Sequence, residues 1–348
     1  MAELLYCCPR CHGELDSHSE RYECNACSAV YPIISGIPDF RVYPDPYISL
    51  EDDRKKGQRL ADQAAAHQLD FRGLVAYYYS ITPEVPPDLG RYYENHHVAG
   101  VTRGVGMLER LAAYGLAGYA APGCRVLDLG CGTGGFVLSA SEAGADMVGV
   151  DIAFRWLIAG RHRLREMGHD TAQVVCACAD YLPFRDAQFD LIVSENVIEH
   201  TAHAAGLLAE ANRVRKPGHA LMARTVNRFA IGPEPHVGVW GVGFLPRRWM
   251  DPYVRRVKGI PYEHIHLQSV FALRHLLADD PDLRVTYPRL MEADYQHHPE
   301  SRQRLFRSYA QMAQRFPLLR PLLTVFGPYL EIVSPPATSG QKTDSSET

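Results

Sequence analysis

Short apolar runs alternate with stretches of helical periodicity from about residue 125 onward. Runs rich in Val, Ile and Leu predict strands at 125–129, 146–152, 173–179, 190–197 and 219–226. Because strands that alternate with helices usually pair in parallel, these runs predict an α/β fold with a doubly wound sheet. Further along, 268–278 has helical spacing, 283–290 indicates a strand, and 329–334 suits an antiparallel last strand.

Composition places the chain among globular proteins. With 348 residues, of which 46% are hydrophobic, it is long enough for one large domain and a small module. The formal net charge of −4 gives no overall attraction to nucleic acid or anionic lipid, although it leaves room for a local basic patch. The sequence shows neither an apolar run of about 18 residues nor a leader that is first charged and then apolar. We therefore expect a cytoplasmic protein with no membrane partner.

Cysteines cluster near the amino terminus, since five of the nine fall between residues 7 and 27. Cys8-x-x-Cys11 and, further on, Cys24-x-x-Cys27 have the paired spacing of a zinc ribbon. Four thiolates match the tetrahedral coordination of zinc and leave no open position for chemistry. The spacing thus predicts a structural zinc within residues 1–40, rather than a catalytic or redox site, with Cys7 as a spare neighbour.

The strongest signal is the segment 126–135, VLDLGCGTGG, in which a strand runs into a glycine-rich turn and then into a helix. Glycines at 130, 132 and 135 allow a tight turn and let a ligand approach bare backbone. Taken alone, they also fit the dinucleotide pattern of dehydrogenases. The carboxylate of Asp128 would repel a pyrophosphate at close range, which favours a positively charged cofactor. Asp151 closes the next strand, where an acidic side chain accepts hydrogen bonds from ribose hydroxyls.

From residue 126 onward the chain resembles the class I S-adenosylmethionine-dependent methyltransferases. Four stretches carry the resemblance: the Asp-x-Gly-x-Gly-x-Gly turn, ADYLPF at 179–184, FDLIVSENVIEH at 189–200 and RVRKPGHAL at 213–221, in which His219 replaces a customary glycine. Their order and spacing over 124–226 set the dehydrogenase interpretation largely aside. The resemblance implies a Rossmann-like, mostly parallel seven-stranded sheet with S-adenosylmethionine as cofactor. It also implies these cofactor-binding residues: Asp128, Gly130, Gly132, Asp151, Ile152, Asp180, Tyr181 and Asn196.

The same comparison of motifs divides the chain. Residues 31–40, YPIISGIPDF, look like the end of small zinc-ribbon proteins that activate certain methyltransferases, here fused at 1–40. We expect a linker and helical lid at 41–120, a methyltransferase domain at 121–335 with cap insertions at 228–267 and 299–326, and a disordered tail at 336–348. The lid rests on tyrosines between 77 and 93 and histidines at 96 and 97, for which aromatic packing of helices is an equal alternative.

Three histidines are candidate catalytic bases. His200 follows the fourth strand, and its ordinary pKa near neutrality suits removal of a hydroxyl proton, although packing or helix capping is an alternative role. His236 and His264 in the first insertion are second choices, with simple polar contacts as their alternative. Some relatives hold magnesium with Glu-x-x-Glu-His. Here Asn196 takes the first position, and because an amide is a poorer cation ligand than a carboxylate, a catalytic divalent metal is disfavoured.

These features together favour an S-adenosylmethionine-dependent methyltransferase that acts on a small or glycan-like hydroxyl acceptor, and we expect a role in specialised metabolism. Methylation of RNA or protein, with the ribbon as a docking surface, is the main alternative. Against it stand the acidic net charge and the presence of only Arg10 and Arg21 as basic residues in the first forty. A non-catalytic scaffold that keeps cofactor binding is a second alternative. The sequence leaves open whether oxygen, nitrogen or carbon is methylated, and which oligomeric state the chain adopts.

Overall fold

Strands and helices alternate along the chain in a computed structural model that describes residues 3–67, 69–296 and 300–335. The predicted tail at 336–348 lies outside the described residues. The strands are β1 (Leu15–Ser17), β2 (Arg21–Cys24), β3 (Val30–Ile34), β4 (Ile37–Pro38), β5 (Arg125–Leu129), β6 (Asp146–Asp151), β7 (Gln173–Cys176), β8 (Phe189–Glu195), β9 (Arg215–Val226), β10 (Pro233–Glu234), β11 (Val239–Trp240), β12 (Arg284–Thr286) and β13 (Tyr329–Val333). The α-helices are α1 (Leu50–His67), α2 (Phe71–Ser80), α3 (Pro87–Val98), α4 (Gly100–Ala113), α5 (Gly135–Glu142), α6 (Phe154–Glu166), α7 (Ala204–Val214), α8 (Arg247–Lys258), α9 (Val270–Leu276), α10 (Glu300–Arg315) and α11 (Arg320–Phe326).

A seven-stranded sheet in the order β12-β13-β9-β8-β5-β6-β7 forms the centre of the protein. The five strands from β9 to β7 pair in parallel, while β13 runs antiparallel to both of its neighbours. The predicted α/β class and the mostly parallel seven-stranded sheet are therefore confirmed. Strand β5 lies in the middle and is buried after its first residue, which explains why its sequence is a continuous apolar run with a single acid.

Strand ends differ from the predicted ones where proline or glycine interrupts the pattern. Strand β9 begins at Arg215 instead of 219, because its Pro-Gly turn is absorbed as a register shift against β8. Strand β12 spans only Arg284–Thr286 of the predicted 283–290, and a proline follows at 288. Helix α9 is shorter than predicted because Ser269 caps it, with its hydroxyl accepting a hydrogen bond from the Ala272 amide at 3.2 Å.

The N-terminal strands β1 to β4 form a small antiparallel sheet that is packed onto the large one. The Phe40 amide donates a hydrogen bond to the Cys176 carbonyl at 2.7 Å, and the Cys7 amide donates one to the Pro183 carbonyl at 2.9 Å. Phe40 itself is fully buried, in the same hydrophobic cluster as residues of β5 and β6. Residues 3–40 therefore share a core with the central sheet.

Both predicted insertions contain helices. The segment 228–267 carries β10, β11 and α8 and has an apolar cluster of its own, made of Val239, Val242, Met250, Val254 and Tyr262. The described part of the segment 299–326 forms α10 and α11. Earlier in the chain, α4 packs so closely on α5 that a Cβ on Gly135 would lie 2.4 Å from the Gly100 carbonyl oxygen.

A buried network of five charged side chains joins the end of the small sheet to α1 and α6. The Arg41 guanidinium contacts Asp39 at 2.8 Å and Asp53 at 2.6 Å. Arg155 contacts the same Asp53 at 2.7 Å and Asp45 at 3.0 Å. Asp53 also accepts a hydrogen bond from the first amide of α6 at 2.8 Å, and none of its surface is exposed. Asp53 is thus the carboxylate shared by both arginines.

Removing that carboxylate should destabilise the fold strongly. We expect Asp53→Ala to lower the free energy of unfolding by about 3–5 kcal/mol, because Arg41 and Arg155 would each keep a buried charge with one partner fewer. Urea denaturation of the purified chain measures the change. Glu51→Ala on the same helix is the matched control, since Glu51 is 77% exposed and pairs only with an exposed lysine, and should cost less than about 0.5 kcal/mol. Equal stability of the two variants would contradict this account.

Candidate functional site

A cavity of about 580 Å³ opens at the carboxyl ends of the parallel strands. This is the edge where ligands bind in doubly wound sheets, because a crevice opens there at the point where the strand order reverses. Its walls come from the ends of β5, β6 and β8, from the segment 43–47 that precedes α1, and from two histidines of the first insertion. The predicted residues that line it are Gly130, Asp151, Ile152, Asn196, His200 and His264.

The glycine-rich turn after β5 adopts a backbone that other residues would strain. Gly130, Gly132 and Gly134 have φ values of 87°, 51° and 70°, all in the left-handed region. A Cβ on Gly130 would also lie 2.1 Å from the Val197 side chain. The Gly132 amide donates a hydrogen bond to the Asp151 carboxylate at 2.8 Å, so the turn and the end of β6 hold each other in place.

Three acidic side chains surround this turn. Asp128 is 6% exposed and accepts no hydrogen bond from the described part of the chain. Burial, with smaller contributions from Glu195 and Asp151, raises the pKa of Asp128 to about 8. Burial also raises the pKa of Asp151, although the Ala153 and Gly132 amides donate to its carboxylate and oppose that shift. Acids in this state favour a positively charged ligand, which would replace the missing counter-charge.

Two further predicted cofactor residues line an adjoining groove of about 540 Å³ instead of the main cavity. Asp180 accepts a hydrogen bond from the Tyr43 hydroxyl through one carboxylate oxygen, while its other oxygen is buried without a partner among the described residues. Tyr181 is 38% exposed, and its ring stands edge-on to that of Tyr43 at 6.2 Å. The free oxygen of Asp180 is an acceptor that lacks a donor.

The histidines gather around His200. Its pKa falls to about 4, mainly through burial and also through the neighbouring His236 and His266, so its ring is neutral at pH 7. The His236 ring lies 4.9 Å from the His200 ring and donates to the Glu234 carboxylate through Nδ1. His264 lines the cavity and stands edge-on to Tyr47 at 5.3 Å. The structure thus places His200 and His264 in the cavity wall and His236 behind His200.

A metal ion is sterically possible at this corner. Glu199, His200 and His236 each bring one ligand atom within 4.8 Å of the others. The Glu199 carboxylate is fully buried and already accepts a hydrogen bond from the Thr225 hydroxyl at 2.7 Å. The same three residues therefore suit either a proton-accepting cluster or a divalent cation, and Asn196 lies in the cavity wall beside them.

The four clustered cysteines converge at the other end of the small sheet. The sulfur of Cys8 lies 3.6 Å from that of Cys27, and the sulfur of Cys11 lies 3.5 Å from that of Cys24. All four sulfurs lie within 4.8 Å of one another. A tetrahedral zinc with bonds of about 2.3 Å has sulfur–sulfur separations of about 3.8 Å, so the donor set fits that ion.

Some residues at the site carry no motif that sequence reasoning could use. Tyr43 and Tyr47 come from the linker, where two prolines between them were the only signal of a fixed loop. Trp156 of α6 lines the cavity, and its ring lies 4.2 Å from the His97 ring at a tilt of 41°, which places the predicted lid cluster one layer behind the cavity wall. Arg103 on α4 is not among the residues that line the cavity; it is half-buried and makes no ion pair within the described ranges, with Glu195 as its main opposite charge.

Comparison with known proteins supports the motif analysis over the central sheet. The sequence profile described as a methyltransferase domain matches residues 127–223. A ubiquinone biosynthesis O-methyltransferase of Thiobacillus denitrificans is 31% identical over 108 residues, which are 31% of this chain and 47% of that protein. The biotin biosynthesis bifunctional protein BioHC of Cellvibrio japonicus is 36% identical over 161 residues, which are 45% of this chain and 28% of that protein. The chain thus spans about half or less of these relatives.

Solved structures show a weaker likeness. Phosphoethanolamine N-methyltransferase 2 of Haemonchus contortus shares 18% identity and a TM-score of 0.45, covering 80% of this chain and 60% of its own. A likeness of that size carries no functional argument.

The matched residues 127–223 contain the glycine-rich turn, Asp151, Asp180 and His200. This stretch of the chain therefore matches a methyltransferase domain, the class that the order of its motifs predicted.

The raised pKa of Asp128 predicts how cofactor binding depends on pH. Below about pH 8 the carboxyl group is mostly protonated, and binding of a cationic ligand must first remove that proton. We expect the Kd of S-adenosylmethionine to fall as the pH rises from about 6 to about 8, by up to about tenfold per unit. Calorimetric titration of the full chain measures it.

Asp128→Asn is the matched control for that titration. It should bind more weakly and lose most of the pH dependence, because no proton is exchanged at that position. A wild-type Kd that stays constant across this range would contradict the assignment.

Proposed function

We propose that this protein transfers a methyl group from S-adenosylmethionine to a hydroxyl oxygen of a small organic or glycan-like acceptor. One observation carries the proposal: a single cavity runs from the glycine-rich turn and Asp151 at one end to His200, His264 and His266 at the other. Its volume lies within the range of about 300–1,000 Å³ that is typical of small-molecule sites.

Residues of the cavity, of the adjoining groove and close to the glycine-rich turn fit different parts of the cofactor. The unpartnered oxygen of Asp180 suits the adenine amino group, which is a donor, and Asp151 lies in the cavity wall, where its carboxylate would accept hydrogen bonds from ribose hydroxyls. Asp128 supplies negative charge for the ammonium of the methionine part. The guanidinium of Arg103, which has no ion-pair partner in the described chain, suits the carboxylate of that same part.

Bound at that end, the cofactor supplies a methyl carbon on a positively charged sulfur. The protein then has to align an acceptor oxygen with that carbon and keep water out. His200 is neutral at pH 7, so its ring can accept the hydroxyl proton as the oxygen attacks, and its lowered pKa makes it a weaker base than an exposed histidine. Glu234 orients the His236 ring behind it and stabilises positive charge on that ring, which raises the His236 pKa. His264 and Tyr47 form an edge-on pair that borders the acceptor's share of the cavity.

The choice of a hydroxyl acceptor rests on the histidines and on the relatives. Several matched proteins are named ubiquinone biosynthesis O-methyltransferases, which describes reactions at oxygen. Methylation of RNA or protein is less well supported. Several segments of the chain border the cavity, and such a cavity suits a small molecule better than a macromolecule. A scaffold that binds the cofactor without turnover makes the opposite prediction in every activity assay.

Transfer is tested by incubating the chain with S-adenosylmethionine and a panel of phenols, catechols and sugars, and by detecting methylated product with mass spectrometry. We expect His200→Ala to lower kcat about 100-fold or more, since general base catalysis contributes that much. His236→Ala should lower kcat less, because its ring acts through His200. His264→Ala should mainly raise the KM of the acceptor.

His18→Ala, an exposed histidine in the small sheet region, is the control and should keep wild-type rates. Wild-type rates in all three cavity variants would contradict a histidine base. If added Mn²⁺ or Mg²⁺ raises turnover and His236→Ala abolishes that rise, Glu199, His200 and His236 hold a metal instead. Methylated RNA or protein in place of the small molecules would favour the alternative substrate class.

We also propose that the four clustered cysteines bind a structural zinc. The purified chain should contain about one zinc per molecule by elemental mass spectrometry. Cys24→Ser should lose it and unfold residues 1–40, because so small a sheet depends on its metal. Cys124→Ser, whose sulfur is outside the cluster, is the matched control and should keep the zinc. A wild-type chain free of zinc would remove the ion from this account.

A further inference from the structure

Helix α8 of the first insertion exposes a strip of large apolar side chains. Trp249, Tyr253 and Val257 follow one another at four-residue spacing, so they lie on the same face of the helix. They are 56%, 36% and 53% exposed. Nothing in the described residues covers this face, and a strip of this kind marks an interaction surface.

The same helix is already anchored on its neighbouring face. Met250 and Val254 point into the small apolar cluster of the insertion and are buried. The apolar side of α8 is therefore wider than the part of it that packs against the rest of the protein. Trp240 extends the exposed strip, since its carbonyl accepts a hydrogen bond from the Tyr253 hydroxyl at 3.0 Å and its side chain is 60% exposed.

Arg256 lies beside this strip, and two further basic residues lie on the same helix farther round its axis. Arg248, Arg256 and Lys258 are exposed and form no ion pair with any residue in the described ranges. The segment 228–267 contains six Lys and Arg residues but three Asp and Glu residues, whereas the whole chain has a net charge of −4. Arg255 differs, because Asp251 and Glu263 neutralise it. The positive charge is thus local, and much of it is unpaired.

We propose that α8, with Trp240, docks the protein on the surface of an anionic lipid bilayer. A helix that combines a Trp- and Tyr-bearing strip with unpaired Arg and Lys lies flat in the headgroup region, with its aromatic rings at the depth where water meets hydrocarbon. No helix in the described part of the chain is long and apolar enough to cross a membrane, so the association is peripheral. This proposal departs from the expectation, drawn from net charge and the lack of an apolar run, that the protein has no membrane partner.

A lipid surface fits these residues better than an acidic protein does. Three unpaired cations on a convex helix require negative charge without a fixed arrangement, and a bilayer supplies this charge wherever they land. A protein partner would have to place acids opposite each cation while also covering the aromatic strip. The strip and the charges lie on one helix, so one docking event satisfies both.

The full chain is tested by co-sedimentation with vesicles of phosphatidylglycerol and phosphatidylcholine in equal parts, beside vesicles of phosphatidylcholine alone. We expect binding to the anionic vesicles only, weakening as salt rises. The double variant Arg248→Glu with Arg256→Glu should bind about 25-fold or more weakly, at about fivefold for each basic residue removed. Trp249→Ser should bind about tenfold more weakly, because the variant lacks the large apolar side chain whose transfer from water into the bilayer favours binding.

Matched controls lie at the far end of α6, away from the carboxyl edge of the sheet. Met167→Ser removes a side chain that is 54% exposed, and Arg165→Glu reverses an exposed charge; both should bind as the wild type does. Circular dichroism confirms that each variant is folded. Lack of binding to anionic vesicles at low salt would overturn the proposal, and so would wild-type binding by Trp249→Ser, which would reduce the effect to general electrostatics. Retention on a polyglutamate matrix but not on vesicles would indicate an acidic protein partner and would overturn it as well.

Discussion

Two buried arginines that share one carboxylate hold the cavity together. Arg41 follows the last strand of the small sheet, Arg155 lies in the first turn of α6, and Asp53 on α1 contacts both. Buried charges are costly without partners, so each arginine fixes the segment that supplies its carboxylates. Asp45 binds Arg155 and thereby fixes the loop of residues 43–47, which forms one wall of the cavity. The site thus depends on charges that are remote from its chemistry.

Electrostatics around the glycine-rich turn has the opposite character, because neither Asp128 nor Asp151 forms an ion pair with any described residue. Asp128 and Asp151 are both held at a raised pKa, chiefly by burial. The glycine-rich turn keeps them close to the cavity by requiring a left-handed backbone that only glycine adopts freely. The carboxylates around Asp53 are paired with arginines, and this pairing stabilises the fold. The acids around the turn have no such counter-charge, so a cationic ligand can supply it. Stability and binding therefore rely on separate sets of carboxylates.

Local sequence patterns predicted much of the fold and part of the site. Strands β5 to β9 follow from apolar runs, and the cavity position of Gly130, Asp151 and His200 follows from motifs at strand ends, where topology brings residues together. The buried network was not predictable, because Asp39, Asp45 and Asp53 occur in a charged, proline-containing stretch that is typical of exposed linkers. Their burial depends on arginines at distant positions, and a single sequence carries no signal for such pairing.

The small sheet matters to the site through the same network. Its last residues, Asp39 and Phe40, attach to the end of β7, where the Phe40 amide donates to Cys176 and where Asp39 holds Arg41. Cys8, which belongs to the cysteine cluster, and Tyr31, whose hydroxyl contacts the Cys8 sulfur, pack in the same core as Phe40. Disorder among the four cysteines would therefore release the strand that positions Arg41, and Arg41 is bonded through its guanidinium to the carbonyl of Ile152 in the cavity wall at 3.1 Å. The cluster of four cysteines is in this way connected, by packing and two buried arginines, to the pocket that would hold the cofactor.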